Sequence, residues 1–134
     1  MKFTPEQQRA IDLRHGSLLV SAGAGTGKTS VLVERFVRAV LDDGVPVDAI
    51  LAITFTEKAA AQLTSRVRAR LMALGARAEA RRAEAAWIST IHGFCSRVLR
   101  THALAAGIDP EFHVLDALES ERLGIDAFDR ALAE

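Results

Sequence analysis

The chain has one cysteine in 134 residues, and a lone thiol cannot close an internal disulfide, so packing alone has to hold the fold. Cys95 lies in an apolar helical stretch and reads as a small buried hydrophobe rather than a nucleophile. Long apolar runs are missing too. None approaches the ~18–20 residues of a membrane span, and Met1-Lys2-Phe3-Thr4-Pro5-Glu6 lacks the apolar centre of a secretory signal. These absences point to a cytoplasmic protein with no membrane partner. Net charge is zero, so the overall basic excess that often marks nucleic-acid binders is absent. His15, His102 and His113 show no metal-ligand spacing, and no internal repeat is evident. With 49% hydrophobic and 25% charged residues, the chain has the composition of an ordinary folded protein and the length for one compact core. Its charge is uneven: residues 1–108 hold 15 Lys/Arg against 9 Asp/Glu, and residues 109–134 hold 2 against 8. A basic body followed by an acidic segment permits local phosphate contacts.

What the chain does have is the octapeptide Ala22-Gly23-Ala24-Gly25-Thr26-Gly27-Lys28-Thr29, which has the form of a loop that cradles a nucleoside triphosphate. Polyphosphate oxygens need many N–H donors at close range. Gly23, Gly25 and Gly27 lack a Cβ and let the backbone curl with its amides inward. A helix starting near Lys28 adds unpaired N–H groups and the positive end of its dipole. Lys28 is expected to reach the β- and γ-phosphates, and the Thr29 hydroxyl is placed to ligate Mg²⁺. Ala22 stands where the common pattern has glycine. The flanks suit such a loop: Ser17-Leu18-Leu19-Val20-Ser21 reads as a short buried strand, and Val33, Phe36, Val37, Val40 and Leu41 recur at helical spacing until Asp42-Asp43-Gly44.

Elsewhere the pattern alternates helix and strand. Thr4-Pro5-Glu6-Gln7 predicts a capped helix from Pro5 to about Leu13. Residues 49–54 read as a second strand. From Glu57 to Leu74 a helix carries the stripe Ala60, Leu63, Val67, Leu71 and Leu74. Residues 75–86, rich in Ala, Arg and Glu, read as an exposed connector of high helix propensity. Residues 87–91 suggest a third strand, and His92–Leu104 a helix with Phe94, Val98 and Leu99 inward. Gly107-Ile108-Asp109-Pro110 breaks it, and the remainder is mainly helical with Leu118, Leu123, Phe128 and Leu132 as core candidates. This order predicts an α/β fold, a parallel sheet with helices on its faces and the ligand at the carboxyl ends of the strands.

Four separated segments together resemble superfamily 1 DNA helicases of the UvrD/Rep type. Residues 3–11, Phe-Thr-Pro-Glu-Gln-Gln-Arg-Ala-Ile, resemble the adenine-reading Q motif, and residues 21–30 the phosphate loop, Ser30 included. Residues 53–60, Ile-Thr-Phe-Thr-Glu-Lys-Ala-Ala, resemble motif Ia. Residues 88–95, Ile-Ser-Thr-Ile-His-Gly-Phe-Cys, resemble the next strand-contacting motif. Glu57 and Phe112-His113-Val114-Leu115-Asp116 lean toward the AddA/RecB branch, helicase subunits of ATP-dependent nucleases, which would bring in a nuclease partner. The resemblance implies an incomplete P-loop NTPase (RecA-like) domain over 1–108 and the start of an inserted helical subdomain over 109–134. It gives Gln7 the adenine edge, and places residues 22–30 around ATP: Ala22, Gly23, Ala24, Gly25, Thr26, Gly27, Lys28, Thr29 and Ser30. Phe55 would stack on a base of single-stranded DNA. Thr56, Lys58, Thr90 and His92 would hold its phosphates, with Thr54 and Phe94 in the same segments.

The acid pair that completes ATP hydrolysis in the family is missing. Residues 112–116 come nearest, but His113 interrupts the run and Ala117 stands where the second acid should be. The later arginines and second motor domain of the family are absent as well. The expectation is therefore the N-terminal, ATP-binding piece of a longer motor. Two other classes fit the loop alone: a nucleotide-binding interaction module without turnover, and a phosphate-loop kinase, which would need an acceptor pocket.

Overall fold

Thr4 and Pro5 open the first helix, α1 (Pro5–Asp12), by the mechanism their order suggests. The Thr4 hydroxyl accepts from the Gln7 backbone N–H, and the Gln7 side chain accepts from the Thr4 N–H, a reciprocal cap that satisfies two otherwise orphan donors. The computed structural model describes residues 3–133, and after α1 the order is α2 (Lys28–Leu41), β1 (Leu51–Thr54), α3 (Glu57–Ala73), α4 (Arg77–Arg82), β2 (Trp87–Thr90), α5 (Ile91–Thr101), α6 (Ala103–Ala106) and α7 (Ala117–Ala133). Single 3₁₀ turns at Val47–Ala49 and Ala83–Ala85 lead into the two strands.

The strands are parallel and in register, Leu51 beside Trp87 and Thr54 beside Thr90, with α3 and α4 crossing between them. The chain is thus a mixed α/β fold with a small parallel sheet flanked by helices. Its core is built from Val33, Phe36, Val37 and Val40 of α2, Ala52 of β1, and Leu63, Val67 and Leu71 of α3. Full burial of an aliphatic side chain such as Leu71 contributes roughly 1.5–3 kcal/mol. The stripe read from α3 is buried as far as Leu71, while Leu74, just past the helix, is half-exposed.

Four expectations need correcting. Ser17–Ser21 is not a strand: a strand exists by its ladder hydrogen bonds, the described sheet contains only β1 and β2, and Leu19 is 93% exposed. Residues 75–86 are not a purely exposed connector. Ala80, Ala83 and Ala86, three apart, turn one face of α4 and the following 3₁₀ turn into the core. Methyl groups are small enough for α4 to lie close against α3.

The third and fourth corrections concern the second compact unit. The chain divides into residues 1–94 and 95–134. In the latter, Ala103 is buried, the Arg100 guanidinium lies 5.1 Å from the centre of the Phe112 ring, and Asp116 and Glu119 cap the start of α7 reciprocally. Leu118, Leu123, Phe128 and Leu132 of α7 are all exposed, as are Leu99 and Cys95. Phe94 and Val98 are half-buried. Their helices are amphipathic as read: Phe94 finds a partner in Trp87, whereas the apolar side chains of α7 are exposed.

Candidate functional site

At the glycine loop the chain turns from the irregular residues 17–23 into α2 by two left-handed glycines, Gly25 (φ 77°) and Gly27 (φ 84°). Gly27 is the N-cap of α2 and offers no side chain to it, so the first N–H groups of the helix stay uncapped and face outward with the positive helix end. A Cβ on Gly27 would sit 3.1 Å from Gln7 Nε2. That amide donates to the Thr26 carbonyl at 2.9 Å, so Gln7 caps its own helix with one end and holds the loop with the other. The Thr26 hydroxyl closes the turn by donating to the Gly23 carbonyl at 2.9 Å. Lys28 curls back so that Nζ donates to the Ala22 and Gly23 carbonyls at 2.6 and 2.5 Å. Beside these groups lies a cavity of about 290 Å³ whose wall includes Thr4, Glu6, Gln7, Ser21, Thr26 and Lys28, near the small end of the ~300–1,000 Å³ usual for ligand pockets.

A polyphosphate fits this arrangement chemically. Uncapped amides, a helix N-terminus and an ammonium converge on one turn. Glu6 is the one carboxylate on the cavity wall, and the hydrogen bonds of the turn itself come from Gln7, Thr26 and Lys28. The Thr29 hydroxyl has no hydrogen-bond partner among the described residues, and no cluster of three His, Cys, Asp or Glu that could hold a metal occurs among them. Any Mg²⁺ at Thr29 would take most of its oxygens from phosphate and water. Asp116, the nearest approach to a hydrolytic acid, has its carboxylate on the Glu119 N–H at 2.8 Å.

The second group of candidates gathers at the carboxyl ends of β1 and β2. Phe55 is 100% exposed, which removes it from the core that a strand-end phenylalanine ordinarily joins. Lys58 and His92 are exposed and make no ion pair or hydrogen bond among the described residues. Thr56 caps α3 by accepting from Ala59 N–H at 3.1 Å, and its own proton remains free. By contrast, the Thr54 hydroxyl donates to the Thr56 carbonyl at 3.1 Å, and Thr90, only 7% exposed, donates to Glu57 Oε1 at 2.7 Å. Phe94 packs edge-on against Trp87, ring centres 5.6 Å apart.

Other contacts between the helices were not revealed by the amino-acid pattern. Glu34 occupies a core-facing position of α2 and accepts two bonds from Arg70 of α3, Nε at 2.9 Å and Nη2 at 3.2 Å, with Arg38 Nε at 3.4 Å. The Arg70 hydrogen bonds hold the Glu34 carboxyl below the usual carboxylate range, against the opposing effect of burial. Arg38 also pairs with Asp12, Arg14 with Asp42 and Asp43, and Arg35 donates to the Ala10 and Leu13 carbonyls. Three arginines thus bind the end of α1 to α2. The one visible signal was an acid set among Val33, Phe36 and Val37.

Comparison with known proteins matches residues 3–133 to the UvrD/REP helicase N-terminal domain family. An ATP-dependent helicase/nuclease subunit of Moorella thermoacetica is 43% identical, over 99% of this chain and 10% of its own length. The proteins of the same name from Lactobacillus delbrueckii subsp. bulgaricus and Syntrophomonas wolfei are 44% and 38% identical, over 92% and 97% of this chain and 11% of their own length. The chain therefore spans about a tenth of the length of the curated relatives it matches.

Proposed function

The chain belongs to the UvrD/REP helicase N-terminal domain family, and on that premise we propose that it is the ATP-binding front of a RecA-like P-loop motor domain that moves on single-stranded DNA. The observation that carries this reading is the Gly25/Gly27 turn, which delivers the uncapped start of α2, Lys28 and Gln7 to one cavity. In it, residues 22–30, Ser30 included, would hold the phosphates through their amides and the Lys28 ammonium, Thr29 would ligate Mg²⁺, and Gln7 would offer its remaining amide hydrogen to the base. Bound ATP with Mg²⁺ supplies the phosphoryl-transfer energy that drives stepping. Residues 1–108 form the first part of the motor domain and 109–134 the beginning of an inserted helical subdomain. The rest of the motor, with the acid pair and the second domain, is contributed by a longer protein. The relatives' shared name supports a helicase/nuclease assembly in which a nuclease is the partner. Its proposed site of action is the cytoplasm; no described helix is long and apolar enough to cross a membrane.

At the sheet edge, Phe55 stacks on a base while Thr56, Lys58 and His92 contact phosphates, a mode indifferent to sequence. Thr54, Thr90 and Phe94 support that surface.

Titration of labelled ATP into wild type and Lys28→Ala tests the central claim. In the empty chain Lys28 already has two carbonyl partners, so binding exchanges them for phosphate rather than recruiting a free cation. The net loss on truncation is that difference, about 1–2 kcal/mol or roughly 5- to 30-fold in affinity. Equal affinities would remove Lys28 from the site.

A further inference from the structure

Three residues from three elements meet at one hydroxyl. Thr90 ends β2, Glu57 begins α3 and Gly93 lies in the first turn of α5. A carboxylate only accepts, so the single Thr90 proton goes to Glu57 Oε1 at 2.7 Å, while Thr90 Oγ1 accepts from the Gly93 N–H at 3.0 Å. The packing is close: a Cβ on Gly93 would lie 3.3 Å from Thr90 Oγ1, 3.5 Å from Ser89 Cβ and 3.6 Å from Glu57 Oε1. With its one proton committed and 7% of its surface exposed, Thr90 has no donor left for a phosphate. A phosphate brought to that hydroxyl would also face the Glu57 charge.

We propose that Glu57 is a positioning residue for single-stranded DNA: through the Thr90 hydroxyl it fixes the loop bearing Phe55, Thr56 and Lys58 against the turn bearing His92, and Thr90 itself does not touch the strand. The register supports this, since Thr54 and Thr90 are directly paired and both segments leave the sheet at the same edge. Contacts that must act together on one backbone gain from being held at a fixed spacing. The proposal rests on the reading of this edge as the DNA surface.

The test is anisotropy of a fluorescent oligo-dT with the 134-residue chain, alongside ATP titration and thermal melting of each variant. Glu57→Gln keeps an oxygen that accepts the Thr90 proton and binds within about twofold of wild type, whereas Glu57→Asp keeps the charge but cannot reach and binds about five- to tenfold more weakly. Glu57→Ala behaves like Glu57→Asp, and adding Thr90→Val to it weakens binding no further, because the second residue acts through the first. ATP affinity stays within about twofold throughout and melting falls by no more than the few degrees that one hydrogen bond is worth, whereas general destabilisation would weaken ATP and oligonucleotide binding in step. Tighter binding by Glu57→Ala would reduce the residue to simple repulsion and overturn the proposal. So would Glu57→Asp matching wild type while Phe55→Ala and Lys58→Ala weaken binding, an outcome that leaves the reading of the edge intact. Indifference of the oligonucleotide to Phe55→Ala and Lys58→Ala would overturn that reading, and the proposal with it.

Discussion

Replacing Gly27 by alanine perturbs the loop in two separable ways. At φ 84° any Cβ meets its own backbone, a strain of about 1–2 kcal/mol. This Cβ would also lie 3.1 Å from Gln7 Nε2; moving the amide away loses the bond to the Thr26 carbonyl, worth about 0.5–1.5 kcal/mol. Together the two costs come to about 1.5–3.5 kcal/mol. Because three arginines hold α1 to α2 independently of Gln7, the helices stay together and the loop relaxes instead. The penalty then appears mainly in ATP affinity, a weakening of about 10- to 300-fold. Two neighbours serve as internal standards. Gly25 has φ 77° with nothing within 4 Å of an added Cβ, so Gly25→Ala carries the strain alone; Gly23 has no positive φ and only Thr26 Cγ2 at 3.8 Å, so Gly23→Ala carries neither cost in the free chain. Urea unfolding and ATP titration on all three should rank Gly27→Ala worst and Gly25→Ala second, with unfolding of Gly23→Ala close to wild type. Wild-type behaviour of Gly27→Ala in both assays, or equal loss of stability in Gly23→Ala, would refute the reasoning.

Three further outcomes follow from burial and charge. Leu71→Ala, at a position 0% exposed, should destabilise the chain by about 2–4 kcal/mol in urea, while Leu74→Ala, 48% exposed, stays within about 1 kcal/mol; equal effects would contradict the position where the stripe ends. Phe55→Ala should leave unfolding unchanged within about 0.5 kcal/mol, since the ring is wholly exposed, yet weaken oligo-dT binding by about 1–3 kcal/mol; a large loss of stability would return the ring to the core. Glu34 has a lowered carboxyl pKa in the fold relative to its ordinary 4.5, so between the two values the unfolded chain binds more protons. Its stabilisation is complete above about pH 4.5 and fades as pH falls through the folded value. Glu34→Gln should be less stable at about pH 7 by about 1–3 kcal/mol and lose less on acidification; an unchanged acid slope would show that Arg70 does not hold the carboxylate.

Much of this was legible in the residues because it is local. The Thr4/Gln7 cap, the glycine turn and the α3 stripe each depend on neighbours within a few positions, and all are present. Ala80, Ala83 and Ala86 escaped because alanine is compatible with surface and core alike, and only the proximity of α3 decides. Ser17–Ser21 had the composition of a strand, but composition cannot supply a ladder partner. The apolar face of α7 shows the same limit: amphipathicity tells which side seeks cover, not whether cover is there. The Glu57–Thr90 bond joins residues 33 apart, and nothing in either segment announces the other.

The binding of α1 to α2 by Arg14, Arg35 and Arg38 has one more consequence. A helix of eight residues is too short to persist alone in water, so α1 borrows its order from its longer neighbour. Gln7, proposed to meet the base, therefore stays in place only while α2 is intact. Thermal loosening of α2 would release both ends of the nucleotide in a single event, and amide exchange in α1 should track that of α2 rather than the rapid exchange of a free peptide.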